Sequence, residues 1–151
     1  MDIEGEGGHP EVKAAITALT CGVKAALTAA GAGIVTFDLA VYPDDTAKGY
    51  DFPALAKCLD YLVPMAYDMT DHKVQSNCPL GAVAKSVAQY KALGIPASQL
   101  VIAFPWYGYD FPCAPGTRQG TGAKCKLSQP TPRHIGMWES GPSNFCRAFF
   151  F

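Results

Sequence analysis

Carboxylates and aromatic rings recur together at four places along this chain: Asp2 with Glu4, Asp38 with Tyr42, Tyr67 with Asp68, and Trp106 and Tyr107 with Asp110. Such an inventory suits a carbohydrate. An aromatic face stacks on the C–H face of a sugar ring, and carboxylates accept hydrogen bonds from its hydroxyls. Cleaving a glycosidic bond further needs one carboxyl kept protonated to serve the leaving oxygen. Asp2 and Glu4 have the spacing for this, because residues two apart on a strand point to the same side. Two carboxylates sharing a partly buried site cannot both ionise freely, so the pKa of one rises. Periodicity alone leaves bland alternatives open. Asp2 and Glu4 also read as an exposed acidic tail, Tyr67-Asp68 as a turn, and Trp106-Tyr107 as core or rim packing.

These residues are of use only if the fold gathers them. Apolar residues at helical spacing predict a helix over 10–30, with Pro10 in its first turn and Gly31 and Gly33 beyond its end. IVTFDLAV (34–41) is short, nearly continuously apolar and β-branched, the pattern of a strand buried on both faces. A short helix over 53–60 leads into a second buried strand over 61–66, which Pro64 weakens. A helix follows over 80–93 and stops at Gly94, and LVIAFP predicts a strand over 100–105. From Phe111 to Pro132 the texture becomes Gly, Pro, Ser, Thr and Lys, a long loop. The last stretch, HIGMWESGPSNFCRAFFF, stays unassigned.

Buried strands alternating with amphipathic helices imply an α/β fold with a parallel sheet and right-handed crossovers. No GxGxxG follows any strand, so a dinucleotide site has no support. The candidate residues sit where predicted strands end, the place where a (β/α)8 barrel collects its chemistry.

Composition narrows the ligand. Of 151 residues, 49% are hydrophobic and 17% charged, enough for a packed core. The 12 basic and 13 acidic residues nearly cancel and lie scattered, so a nucleic-acid partner is not expected and a neutral, polar ligand is. No run approaches the roughly 20 consecutive apolar residues of a membrane span, which predicts a soluble chain with no membrane partner. Six cysteines in no zinc-binding pattern point to disulfides in an oxidising compartment, with Cys113 and Cys125, which bracket a Gly/Pro-rich loop, as the first candidate pair. His9, His72 and His134 lie in predicted loops without metal-site spacing.

Four segments together resemble glycoside hydrolase family 18. MDIE matches the last four positions of that family's signature, which runs Asp, two spacers, Asp, spacer, Asp, spacer, Glu at the end of the fourth barrel strand. MAYD (65–68) is similar to its Met-x-Tyr-Asp motif at the end of strand six. TFDLAVYP (36–43) and FPWYGYDF (104–111) look like its fifth and seventh strands in the chitobiase form. The resemblance implies a partial (β/α)8 TIM barrel covering strands four to seven. Residues 1–151 would be the C-terminal portion of a truncated barrel, and 112–151 a poorly assigned tail.

It also implies an activity: hydrolysis of β-1,4-linked N-acetylglucosamine oligosaccharides, such as the chitobiose core of N-glycans, by a substrate-assisted retaining mechanism. Glu4 would protonate the leaving oxygen and later activate water. Asp2 would orient the substrate's acetamido group through its N–H, and Tyr67 would bond the acetamido oxygen. Asp68, Met65, Tyr107, Trp106 and Asp38 would bind substrate, with outward packing left open for Trp106. PRHIGMW stands either for the opening of the seventh helix or for the eighth strand, where Trp138 would floor the sugar site. The family needs no cofactor and no metal. The full-length protein is expected to be a lysosomal or secreted monomer. The signature's first two aspartates precede Met1, so the 151 residues alone are expected to be inactive. A non-catalytic chitinase-like lectin is the alternative, although such lectins typically lose the acid that Glu4 retains.

Overall fold

The computed structural model of the chain describes residues 1–3, 9–43, 49–69 and 76–116, together with the backbone of 133–136 and 145–148. They fall into two compact units, Met1–Met65 with Ala84–Ala103, and Ala66–Val83 with Phe104–Phe151.

The first unit begins with helix α1 (Pro10–Ala29), whose proline occupies the first turn, where its missing N–H costs no intrahelical bond. Gly31, at φ 69°, closes the helix in the left-handed conformation that glycine adopts without a Cβ clash. Strand β1 (Thr36–Leu39) follows, then helix α2 (Phe52–Cys58), capped by the Asp51 carboxylate, which accepts from the Ala54 N–H at 3.0 Å. Strand β2 (Tyr61–Pro64) pairs parallel to β1, with Thr36 opposite Tyr61 and Leu39 opposite Pro64. Phe37, Leu39 and Leu62 are fully buried on one face of this pair. They pack with Phe52 and Leu55 of α2 and with Tyr90 of helix α3 (Leu80–Ala92). Edge-to-face contacts chain Phe37 to Tyr50, Phe52 and Tyr90 at centroid separations of 5.6, 5.9 and 5.3 Å.

Two links tie α1 to the rest of this unit: the Cys21–Cys58 disulfide to α2, and a 2.6 Å ion pair between Lys24 and Asp60. The same Asp60 oxygen accepts the Val35 N–H at 2.7 Å. These two donors, Lys24 first, hold the Asp60 carboxyl below the usual carboxylate range. The absence of a spanning stretch needs correction. By length and composition Pro10–Ala29 could cross a membrane, with mean hydropathy 1.3. Its alanines raise the average although lysines and threonines break the apolar run. Its covalent and ionic links show the helix packed as part of this unit.

The strand expected over 100–105 is reduced to two parallel bridges, Leu62 to Leu100 and Met65 to Ala103. The reason is Pro64. Val101 N–H donates to Leu62 and Ala103 N–H to Pro64, but the intervening bond would need a Pro64 N–H, which proline lacks.

The second unit holds strand β3 (Tyr107–Pro112) between β4 (Arg133–Gly136) and β5 (Phe145–Ala148), both antiparallel to it. This corrects the purely parallel reading and gives part of the unassigned tail a place. β4 and β5 are only four residues each and show too little alternation to announce themselves. Cys78 is a buried free thiol, so the expectation of disulfides does not extend to it. Cys113 is disulfide-bonded, and its proposed partner Cys125 lies outside the described residues.

Candidate active site

The first unit positions Asp2, Asp38 and Met65. The Met1 ammonium donates to the Thr36 carbonyl at 2.5 Å, and the Asp38 N–H donates to the Met1 carbonyl at 2.8 Å. These are the two bonds of a parallel pair, so residues 1–3 run beside β1 with Met1 opposite Phe37 and Asp2 opposite Asp38. Alternation sends Met1 and Ile3 to the core and leaves Asp2 exposed on the other face. Burial raises the Asp38 carboxyl above the usual range; the Met1 ammonium pulls it down and the Asp2 charge pushes it up. Val63 stands opposite Asp38, and Met65 follows two residues later, just past the end of β2. Tyr42 belongs to packing: its ring carries the Lys85 ammonium 4.7 Å from the centroid.

The second unit gathers Tyr67, Asp68 and Tyr107. Tyr107, Tyr109 and Phe111 alternate along β3 and therefore share a face. Their rings form a ladder, with centroids 5.9 Å apart from Tyr107 to Tyr109 and 6.3 Å from Tyr109 to Phe111. Tyr67 extends it, edge-on to Tyr107 at 6.2 Å. The Tyr107 and Tyr109 hydroxyls both donate to Oδ1 of Asp68, the latter at 2.5 Å, leaving Oδ2 open among the described residues. Burial first, and then the Asp68 carboxylate, pushes the Tyr109 phenol up to about 12 and raises Tyr107 further. Both phenols therefore stay protonated donors at any working pH.

Asp68 itself has φ 58°, a left-handed conformation that costs a non-glycine residue about 1–3 kcal/mol and persists only where its surroundings enforce it. Strain of this kind clusters at ligand clamps. Trp106 is 75% exposed, which excludes the core packing that the sequence left open. Tyr109 was absent from the sequence-based candidates, although the alternation YGYDF announced it. Glu4, His72 and Trp138 lie outside the described residues. His9 is exposed beside Glu11, and no cluster of three potential metal ligands occurs among the described residues.

A carboxylate fixed by two phenols, with one oxygen open and aromatic edges around it, is equipped to accept hydrogen bonds from a polyhydroxylated ligand. The sequence pattern of Glycosyl hydrolases family 18 matches residues 1–143. The chain belongs to that family.

Among family 18 relatives, the probable di-N-acetylchitobiase 1 of Dictyostelium discoideum is 38% identical over 71 residues, covering 42% of this chain and 19% of that protein. The di-N-acetylchitobiase of Rattus norvegicus is 33% identical over 85 residues, 52% of this chain and 23% of the relative. The match thus spans about a fifth of the length of these relatives. A family 18 chitinase from Cycas revoluta, solved with allosamidin, superposes with a TM-score of 0.70 at 18% identity, over 90% of this chain and 45% of that one. Catalytic domain 2 of the Ostrinia furnacalis Group II chitinase gives 0.64 at 22% identity, over 77% and 33%. The fold is therefore that of part of a (β/α)8 chitinase barrel.

Proposed function

We propose that the chain contributes strands four to seven of a family 18 barrel whose full-length protein hydrolyses N-acetylglucosamine oligosaccharides. The observation that carries this is the Asp68 carboxylate held by two tyrosine hydroxyls beside Tyr67, within the segment that matches the family's Met-x-Tyr-Asp motif. The similarity to relatives named di-N-acetylchitobiase supports a short substrate for this protein, in this reading the chitobiose core of N-glycans.

In this reading the substrate's acetamido oxygen attacks its own anomeric carbon, forming an oxazolinium ion as the glycosidic bond breaks. Glu4 gives its proton to the departing oxygen, then takes one from the water that reopens the ring. Asp2 accepts the acetamido N–H, holding the group in line and stabilising its positive charge. Asp38, set beside Asp2 by the strand register, binds substrate. Tyr67 donates to the acetamido oxygen. Asp68 contacts the sugars beside the scissile bond, Tyr107 lines the cleft, and Trp106 and Met65 also bind substrate. The Cys21–Cys58 disulfide suits a lysosomal or secreted location, and a completed barrel is expected to act as a monomer without cofactor.

The test is Glu4→Gln in the full-length protein, with the 151-residue chain alone as a control without turnover. Chitooligosaccharide hydrolysis should vanish while binding persists. Hydrolysis at the unmodified rate would remove Glu4 from the mechanism. A wild-type protein that binds but never cleaves would support a lectin instead.

A further inference from the structure

Asn77 is fully buried, and three of its polar groups bond within the second unit. Its side-chain Oδ1 accepts the Asp68 N–H at 2.7 Å, its carbonyl accepts the Met69 N–H at 3.2 Å, and its Nδ2 donates to the Tyr107 carbonyl at 3.2 Å. A primary amide offers a donor and an acceptor in one plane, as a peptide group does. Asn77 therefore joins the turn after β2 to the first residue of β3 as an extra piece of backbone would.

The two N–H groups it holds flank the strained residue. Asp68 stays at φ 58° while its own N–H and that of Met69 are pinned by Asn77, and that conformation presents its carboxylate to the Tyr107 and Tyr109 hydroxyls. Tyr107 is reached from both sides, its carbonyl by Asn77 and its hydroxyl by Asp68. We propose that Asn77 is a positioning residue, which locks the backbone of Asp68 so that its open oxygen meets the sugar. Aspartate at 77 could accept but not donate, and would set a second negative charge near Asp68. Glutamine adds a methylene to a fully buried site. Alanine leaves two groups unpaired.

This inference rests on the reading of Asp68 as a sugar ligand, and a double-mutant cycle separates the two. In the full-length enzyme, kcat and KM for a chitooligosaccharide are measured for Asp68→Asn, Asn77→Ala and the double variant, with circular dichroism and thermal melts as the check on folding. Each single change should lower kcat/KM by about tenfold to a hundredfold, the scale of misplacing a contact by about 1 Å. The double variant should lose no more than the worse single one, because Asn77 acts through Asp68. Losses that multiply would show a general structural role and overturn the proposal. An Asp68→Asn loss with an unaffected Asn77→Ala would also overturn it. An unaffected Asp68→Asn would sink the ligand reading beneath it. Should Asn77→Ala fail to fold, Asn77→Asp keeps the shape and the acceptor, and the same non-multiplying loss is required of it.

Discussion

Tyrosines in the two units make opposite use of the same hydroxyl. In the first, Tyr90 donates to the Ala40 carbonyl at 2.6 Å and Tyr50 to the Ile3 carbonyl at 2.5 Å, both with rings sunk in an aromatic core. In the second, Tyr107 and Tyr109 donate to a side-chain carboxylate on a strained residue. A phenol bonded to backbone completes the wiring of a core. One bonded to a carboxylate instead fixes a side chain whose second oxygen has no partner among the described residues. Ring burial alone does not separate the two roles, since Tyr109 is nearly as buried as Tyr90. The partner of the hydroxyl does.

Three experiments press on this contrast. The largest effect belongs to the staple of the first unit: replacing Cys21 and Cys58 by serine frees a crosslink spanning 37 positions and should lower stability by about 3–4 kcal/mol in denaturant melts. The phenol of Tyr109 should still ionise at about 12 wherever that variant remains folded. A collapse of that titration toward the ordinary value of about 10 would mean that the two units do not divide the labour as stated.

Next comes a matched pair. Tyr90→Phe leaves the Ala40 carbonyl unpaired in the core and should cost about 1–2 kcal/mol with oligosaccharide affinity unchanged. Tyr109→Phe should do the reverse, weakening oligosaccharide binding severalfold with a smaller loss of stability. Isothermal titration beside thermal melts reads both, and identical profiles for the two variants would erase the distinction.

The smallest effect concerns Asp60. Its carboxyl lies below the unfolded value of about 3.9, so the stability it adds is present above that pH and fades as the pH falls through the lower folded value. Asp60→Asn should therefore flatten the acid limb of a stability profile between about pH 5 and about pH 2. An unchanged slope would show that Lys24 and Val35 do not hold that carboxylate in solution.

Much of the first unit was legible from local pattern. Helices over 10–30, 53–60 and 80–93 and strands over 34–41 and 61–66 are found within a few residues of those bounds, because apolar periodicity and terminal Pro and Gly act locally. The strand over 100–105 failed for a non-local reason, the missing N–H of Pro64 on its neighbour. β4 and β5 were invisible because four residues carry too little period. Asp68, Tyr67 and Tyr107 were readable through the family motifs, and Tyr109 was readable in principle from alternation along β3. Asn77 had no signature at all.

Residue types and their order along the chain thus determined which groups could do chemistry and which elements carry them, since side-chain chemistry and helical or strand period are properties of short segments. Tertiary structure alone decided which of those groups meet. Asp2 faces Asp38 through strand register, and Asp68 meets two phenols about 40 positions away because a buried amide holds its backbone in an otherwise unfavourable conformation. Such pairings depend on hydrogen bonds between distant segments, which no local pattern encodes.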